Sequence, residues 1–247
     1  MPLRDGSLKS LVKNSQSEYV PEKICLLFMK QILCALDYLA SEDLIHRDVK
    51  PDNILYSRLS EDYWFQLADF GLAHHQSLAK TFCGTGHYTA PELWPQVSGV
   101  HANQSPKMDV WSLYATVVAV HSGFTEFPPS IGDYGVVLNL LKTKAATSSL
   151  EPMARLHPER RASAAQMLVH QFGGEGLTTA RSKVPPIESN TEYIPQELSR
   201  EARPTRSDRS KAPAGPLIVL PRRKSIPQKQ GGILGPIRSH KNRVVKP

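Results

Sequence analysis

The sequence predicts a mainly α-helical domain with short β-hairpins, followed by a disordered basic tail. Three observations carry this prediction. The segment Pro21–Ser41 repeats apolar residues at helical spacing, short β-like stretches follow it, and all periodicity ends after Phe172. Beyond that point prolines, serines and arginines cannot bury enough apolar surface to offset chain entropy. We therefore place the folded domain at residues 1–174 and the tail at residues 175–247.

The helices are predicted from apolar spacing and from the residues at their ends. In Pro21–Ser41, apolar residues recur every three or four positions from Ile24 to Leu39, and the leading proline suits a first helical turn. The apolar segment Asp109–His121 is predicted to be a buried helix, although its β-branched residues leave a strand open. A last helix is predicted for Ser163–His170, capped at or near its first residue.

Short strands are predicted between the first two helices, at Asp43–Ile45, Asn53–Tyr56 and Trp64–Ala68. Stretches of this length are too short for a large sheet. We expect them to form small hairpins beneath a loop-rich surface.

Composition is that of an ordinary globular protein, with 247 residues of which 40% are hydrophobic and 21% charged. We expect no stretch that reaches the roughly 20 apolar residues of a membrane span, and the N-terminus lacks the apolar run of a secretory signal. Cys25, Cys34 and Cys83 show no zinc-type pairing and are interpreted as reduced thiols. We therefore expect a cytoplasmic or nuclear protein with no membrane partner.

The net charge of +7 lies in the tail. Residues 175–247 contain 15 Lys/Arg and 6 Asp/Glu, which leaves a net charge of −2 for residues 1–174. The basic run Arg222–Lys224, followed by Ser225, is interpreted as a solvated part of the tail. A nuclear-import signal, a phosphorylation site and a site for anionic partners are its alternatives. Because no aromatic residue is interleaved with these charges, nucleic acid is not expected as a partner.

Five short motifs follow one another in a fixed order. They are IHRDVKPDNIL at Ile45–Leu55, ADFGLA at Ala68–Ala73, GTGHYTAPE at Gly84–Glu92, DVWSL at Asp109–Leu113 and HPERRASA at His157–Ala164. Each motif is weak alone, but together and at these separations they are specific. From residue 1 to about residue 172, the sequence resembles the eukaryotic-type Ser/Thr protein kinase family. The resemblance implies the C-terminal lobe of the α+β protein-kinase-like fold, preceded by the hinge between the lobes, with the N-terminal lobe missing.

The resemblance implies phosphoryl transfer from ATP to the hydroxyl groups of protein substrates, which depends on positioning and charge neutralisation. Asp48 would orient the substrate hydroxyl and accept its proton, and Lys50 would stabilise the transferred phosphate. Asn53 and Asp69 carry oxygen ligands suited to Mg²⁺. Thr85 completes the implied catalytic set through a hydrogen bond to the catalytic aspartate.

Further matched residues are implied to be regulatory. Thr81, and after it Ser77, are candidate phosphorylation sites in the activation segment, with an upstream activating kinase as the implied partner. Arg47 would receive the phosphate, because a guanidinium pairs well with a group carrying nearly two negative charges. The alternative is that Arg47 pairs only with nearby carbonyl groups.

A last matched set is implied to be structural. It comprises two packing residues of the regulatory spine, a turn glycine and three charged residues: His46, Phe70, Gly71, Glu92, Asp109 and Arg161. Gly71 would give the backbone freedom for the turn that aims the preceding aspartate. Glu92 and Arg161 resemble a buried ion pair of the family, whose disruption would leave a buried charge without a partner.

The first residues, MPLRDGSLKSLV, resemble the hinge and the first helix of the large lobe. Met1–Leu3 would lie against the adenine of ATP, and Ser7 or Asp5 would contact its ribose. The alternative is that the DGS sequence is simply a turn before a helix.

The sequence also departs from the family. It contains no Gly-rich phosphate loop, no strand lysine and no glutamate to pair with it. Tyr114 stands where the family carries glycine, His157 stands where aspartate is common, and the region between Gly123 and Leu156 is short. Two functions stay open: part of an active Ser/Thr kinase whose missing lobe lies upstream, or an inactive lobe that binds partners or serves as a scaffold.

Overall fold

The structure, a computed structural model, describes residues 4–15, 20–60, 62–75, 86–128 and 134–189, all of which belong to one unit, Met1–Thr191. The α-helices in these ranges are α1 (Leu8–Asn14), α2 (Glu22–Ser41), α3 (Pro95–Ser98), α4 (Lys107–His121), α5 (Tyr134–Ala145) and α6 (Ala164–Phe172). The strands are β1 (Gly6–Ser7), β2 (Leu44–Ile45), β3 (Ile54–Leu59), β4 (Asp62–Leu67) and β5 (His74–His75). The prediction of helices with short strands is confirmed.

The strands form two small antiparallel sheets. One has the order β1-β3-β4 and the other pairs β2 with β5. In the β3–β4 hairpin, Ile54 pairs with Leu67 at the open end and Leu59 pairs with Asp62 at the turn. The chain segments that enter and leave this hairpin therefore lie side by side.

Helix α2 begins one residue later than predicted and ends at the predicted Ser41, and it packs against α4, α6 and β4. Its buried face includes Phe28, Ile32 and Leu33, each fully buried, and the Phe28 ring meets the Phe65 ring of β4 edge to face at 5.9 Å. The proline at position 21 lies just before the first turn, where its carbonyl accepts hydrogen bonds from the amides of Ile24 and Cys25. The helix is thus held by the burial of one continuous apolar stripe.

By length and composition alone, the 20-residue helix α2 is long and apolar enough to cross a membrane. The expectation that no stretch reaches this threshold was therefore wrong. Core helices of folded domains pass the same test. In the structure, α2 is packed between α4, α6 and β4 as a core helix is.

Helix α4 confirms the helical prediction for the second apolar segment, so the strand alternative is wrong. It is buried on nearly every side, which explains why its apolar residues follow no single stripe. Tyr114 is 1% exposed, and its hydroxyl donates a hydrogen bond to the carbonyl of Leu141 on α5 at 2.9 Å. A side chain where the family carries glycine thus fills the space between α4 and α5.

Helix α6 begins and ends with recognisable caps. Ser163 accepts a hydrogen bond from the amide of Gln166, and the Gln166 side chain accepts one from the Ser163 amide, so both form a capping box. Gly173 follows the helix in the left-handed conformation, with φ of 64°.

The chain continues past α6 as an ordered segment, residues 174–189, which we call the C-terminal strap. The expectation of disorder from Glu175 onward was wrong for these residues. The buried Asp37 carboxylate of α2 accepts hydrogen bonds from both the Thr178 and Thr179 amides and from the Thr179 hydroxyl, at 2.6–3.0 Å. Glu175 pairs with Lys30 at 2.7 Å. Polar anchors of this kind stabilise a segment that has few large apolar residues.

Further contacts hold the rest of the strap. The Gln166 side chain donates to the carbonyls of Pro185 and Pro186, and Arg155 donates to the carbonyl of Glu188 at 3.0 Å. The strap is therefore hydrogen-bonded to the body along most of its length.

Gly176→Ala is expected to lower the free energy of unfolding by about 1–3 kcal/mol, because Gly176 has a φ of +81° and a new Cβ would overlap the Cys34 Sγ atom. Gly173→Ala is the matched control, since φ is also positive there but nothing lies within 4 Å of a new Cβ. Urea unfolding of both variants measures the difference. An equal loss in both variants would contradict a close contact between the strap and Cys34.

Candidate active site

The open end of the β3–β4 hairpin positions two predicted site residues. Asn53 directly precedes β3 and Ala68 directly follows β4, and the Ala68 amide donates to the Asn53 carbonyl at 2.8 Å. The backbone therefore reaches Asp69 from a position next to Asn53. The structure thus brings together two segments that lie 15 positions apart in the sequence.

Asp48, Lys50 and Asn53 form one hydrogen-bonded cluster. The Lys50 Nζ atom donates to Asp48 Oδ2 at 2.6 Å, and the Asn53 Nδ2 atom donates to the same oxygen at 2.8 Å and to the Asp48 main-chain carbonyl at 2.9 Å. Asp48 and Asn53 are 9% and 8% exposed. Partial burial strengthens these charge-assisted bonds relative to bonds in water. The carboxylate of Asp48 is therefore held in one orientation from two sides.

Asp109 on α4 holds the backbone that carries this cluster. Its Oδ2 accepts the amide of His46 at 2.7 Å and its Oδ1 accepts the amide of Arg47 at 2.8 Å. Arg47 has a φ of 73°, a conformation that costs a non-glycine residue of the order of 1 kcal/mol or more and persists only where its surroundings enforce it. The structural role expected of Asp109 is thus to fix the backbone turn just before Asp48.

Burial raises the pKa of Asp109 to about 7, against a smaller lowering by the amides of His46 and Arg47. Between about pH 4 and pH 7, the folded state therefore holds a proton that the unfolded carboxyl group has released. Over this window the contribution of Asp109 to the free energy of unfolding is expected to fall by up to about 1.4 kcal/mol per pH unit.

Asp109→Asn removes this titration and is the comparison for the measurement. Urea unfolding of both proteins from pH 4 to pH 8 is expected to show the stability of the natural protein, relative to the variant, declining up to about pH 7 and then staying constant. Parallel profiles over the whole range would show that Asp109 is already ionised in the folded state at pH 4.

His46 is fully buried and neutral, because burial lowers its pKa. Its Nε2 lies 3.0 Å from the Ala68 carbonyl and its Nδ1 accepts the Asp48 amide at 3.4 Å, which fits the Nε2–H tautomer. The Phe70 ring meets the imidazole edge to face at 5.0 Å. Phe70 is 48% exposed, so it is packed on one side only, and with Tyr38 and Trp64 it lines a groove of about 690 Å³.

The turn at Asp69 differs from expectation. Asp69 itself adopts the left-handed conformation, with φ of 62° and ψ of 75°, whereas Gly71 does not have positive φ. Gly71 contributes in another way, because its amide donates to Asp69 Oδ1 at 3.2 Å and an added Cβ would lie 3.1 Å from that oxygen. The missing side chain of Gly71 thus permits a close approach that orients the exposed carboxylate.

Glu92 and Arg161 form the predicted buried ion pair. Two parallel hydrogen bonds of 2.9 and 2.8 Å join them, and both side chains are fully buried. The other three N–H groups of the guanidinium donate to the carbonyls of Arg155, Lys107 and Leu156. All five donors of Arg161 are therefore used, which is the condition under which a buried charge is tolerated.

Three predicted site residues, Thr85, Thr81 and Ser77, lie outside the described residues, as does the Met1–Leu3 segment proposed to meet adenine. Ser7 lies in β1, where it pairs with Leu55 of β3. Its hydroxyl accepts a hydrogen bond from the Ser10 amide and caps α1, as the alternative interpretation of a turn before a helix implies. That Ser7 contacts a ribose stays a prediction.

The donor set fits Mg²⁺. Because the Asn53 amide nitrogen faces Asp48, its carbonyl oxygen is the atom left for a cation, and Asp69 offers an exposed carboxylate nearby. Within the described ranges, no three His, Cys, Asp or Glu side chains form a metal site of their own. Mg²⁺ bound to a nucleotide typically takes only one or two protein carboxylates and completes its shell with phosphates and water. An amide oxygen and a carboxylate, carried by backbone segments that the Ala68–Asn53 hydrogen bond joins, are therefore enough protein ligands for such a site.

The sequence predicted a structural role for Asp109 but not which groups it contacts. The only signal was its position in DVWSL, 61 residues after Asp48, and the hydrogen bonds to two main-chain amides required coordinates.

Comparison with known proteins places these features in a family. A family model described as the protein kinase domain matches residues 2–173. Calcium/calmodulin-dependent protein kinase type IV of Rattus norvegicus is 31% identical over 170 residues, which cover 62% of this chain and 35% of that protein. Serine/threonine-protein kinase chk-2 of Caenorhabditis elegans is 31% identical over 158 residues, covering 59% of this chain and 33% of that protein.

A further relative is serine/threonine-protein kinase ATG1 of Komagataella pastoris, 30% identical over 175 residues, which cover 64% of this chain and 21% of that protein. The chain thus spans about a third or less of the length of these curated relatives.

Proposed function

The chain belongs to the protein kinase family, of the eukaryotic Ser/Thr type, and on this premise we propose that it provides the large catalytic lobe for transfer of the ATP γ-phosphate to Ser or Thr hydroxyl groups of protein substrates. The observation that carries the proposal is the cluster in which Lys50 and Asn53 both donate to Asp48, beside Asp69. These are the residue types that positioning and charge neutralisation in phosphoryl transfer require.

Each residue of the cluster has a task in this proposal. Asp48 accepts the hydrogen bond of the substrate hydroxyl and takes its proton as the bond to phosphorus forms. Lys50, now paired with Asp48, also supplies positive charge to the phosphate in transit. Asn53 and Asp69 hold Mg²⁺, which neutralises phosphate charge when it is bound.

The surrounding residues maintain this arrangement. Asp109 fixes the backbone before Asp48, so that the carboxylate is positioned before substrate arrives. In the same proposal Thr85 hydrogen-bonds the catalytic aspartate, and a phosphate on Thr81 or Ser77, added by an upstream kinase, is received by Arg47. A cytoplasmic or nuclear location completes the proposal.

The test is a transfer assay with γ-labelled ATP, Mg²⁺ and a mixture of Ser- and Thr-containing peptides. It uses the chain alone and a chimera in which the small lobe of a relative precedes residue 1. Mg²⁺-dependent labelling of hydroxyl residues is expected in the chimera at least, and Asp69→Asn is expected to abolish it. A folded chimera that binds ATP yet transfers no phosphate would overturn the proposal and favour an inactive lobe that binds partners.

A further inference from the structure

A cavity of about 270 Å³ opens between α2, α4 and the segment after α5. The buried and partly buried apolar residues of its lining, which we call the inner wall, are Cys25, Met29, Tyr114, Val117, Val118 and Leu150. Ser148, Ser149 and Gln171 line the rest together with the charged residues. No residue of the Asp48 cluster lines it. At about 30 Å³ per water molecule, the volume corresponds to roughly nine waters.

The inner wall offers few hydrogen-bonding groups to water. Cys25, Met29, Tyr114 and Val117 are all buried, and the Tyr114 hydroxyl is already engaged with the Leu141 carbonyl. Water against a wall of this kind is readily displaced by apolar groups. The cavity therefore suits a small molecule with an apolar body.

The rim of the cavity is charged. Glu126 and Lys144 pair with each other at 2.7 Å, so that their charges largely cancel. Glu22, in the first turn of α2, and His121, in the last turn of α4, also face the rim. Within the described ranges Glu22 has no ion-pair partner, which leaves one net negative charge at the mouth when His121 is neutral.

The charge of Glu22 acts inside the cavity as well as at its mouth. The pKa of the Cys25 thiol on the inner wall is raised to about 11, first by burial and then by the negative charge of Glu22. The negative charge of Glu22 that disfavours a thiolate at Cys25 would attract a cationic group placed at the mouth.

We propose that this cavity is a binding site for a small apolar amine, whose hydrocarbon part occupies the inner wall and whose ammonium group lies at Glu22. The ligand makes apolar contact with the inner wall and gives Glu22 a counter-ion. The site lies outside the phosphoryl-transfer machinery and needs none of its residues, so that its test stands whatever the outcome of the transfer assay.

The probes are octylamine, octan-1-ol and octanoate, which share one apolar body and differ in the charge of the end group. Binding to the whole chain is measured at pH 8 by isothermal titration calorimetry. Octylamine is expected to bind saturably and about three- to tenfold more tightly than octan-1-ol, with octanoate the weakest. Equal affinities, or tighter binding of octanoate, would overturn the assignment of an amine.

Variants locate the site. Val118→Trp fills the cavity and is expected to abolish octylamine binding, whereas Val136→Trp, the same change at a 60% exposed position of α5 outside the cavity, is expected to leave it unchanged. Glu22→Gln alters an exposed side chain and is expected to remove the preference for octylamine over octan-1-ol. Octylamine binding that survives Val118→Trp, or a preference that survives Glu22→Gln, would overturn the proposal.

Discussion

Replacing Asp48 with asparagine is expected to lower the rate of phosphoryl transfer by about 10²- to 10⁴-fold, the usual contribution of a general base. The change is nearly isosteric, so that Asn53 can still donate to the side-chain oxygen and to the main-chain carbonyl of residue 48. What is lost is the negative charge that accepts the substrate proton. Initial rates with labelled ATP, in the form of the protein that transfers phosphate, measure the effect.

Asp52→Asn is the matched control, because it makes the same chemical change on the same loop. Asp52 is exposed and pairs at the surface with Lys9 at 2.7 Å. Its replacement is expected to leave transfer within about twofold, since exposed pairs contribute little. ATP affinity should be similar in all three proteins. An Asp48→Asn rate equal to that of the control would refute the catalytic assignment.

Arg161→Met is expected to lower the free energy of unfolding by about 3–5 kcal/mol. The change leaves the fully buried Glu92 carboxylate without its two donors and three main-chain carbonyls without theirs. It also removes the guanidinium stacked over Trp111 at 5.2 Å. Because a domain is typically stable by only about 5–15 kcal/mol, the loss is a large fraction of the total. Urea unfolding measures it.

Two controls separate burial from ion pairing as such. Lys144→Met breaks the exposed pair with Glu126 and is expected to cost at most about 1 kcal/mol. The double variant Glu92→Leu, Arg161→Met removes both buried charges and is expected to recover part of the loss, because no lone buried charge remains. A loss in Arg161→Met no larger than in Lys144→Met would mean that water reaches Glu92 in solution.

Local pattern predicted the elements whose own residues determine their structure. Helix α2 follows from its apolar stripe, and α6 follows from the Ser163 cap and the glycine after its last turn. Helix α5 went unpredicted, although Tyr134, Val137, Leu138 and Leu141 lie at helical spacing and are buried. Its buried positions lie on one face of the helix, so its apolar spacing is sufficient to predict it.

In the active site too, local contacts could be predicted from the sequence and contacts between distant residues could not. The Asp48–Lys50–Asn53 cluster could be predicted because its members lie within six positions, so that the loop itself brings them together. The hydrogen bonds from Asp109 to the amides before Asp48 span more than 60 positions, and no local rule predicts them. At Asp69, backbone freedom was expected to come from Gly71, whereas the positive φ falls on the aspartate itself.

The C-terminal strap failed to be predicted for a physical reason. The sequence GGEG is typical of a flexible linker, and the residues after it bring little apolar surface. Its order depends instead on Asp37, a carboxylate 141 positions earlier that accepts two amides and a hydroxyl. Glycine serves a close contact here, because the absence of a side chain at Gly174 and Gly176 lets the backbone lie against Arg181 and Cys34.

The strap extends the folded body beyond the end of the matched domain. The match to the protein kinase domain model stops at residue 173, whereas the hydrogen-bonded body continues to Glu188. A chain shortened to the matched residues would keep every residue of the proposed chemistry. It would nevertheless deprive Asp37 of its three donors and uncover the core contacts of Leu177 and Ile187. The matched domain and the hydrogen-bonded body therefore have different ends in this protein, and a chain intended to keep the body intact has to extend to Glu188.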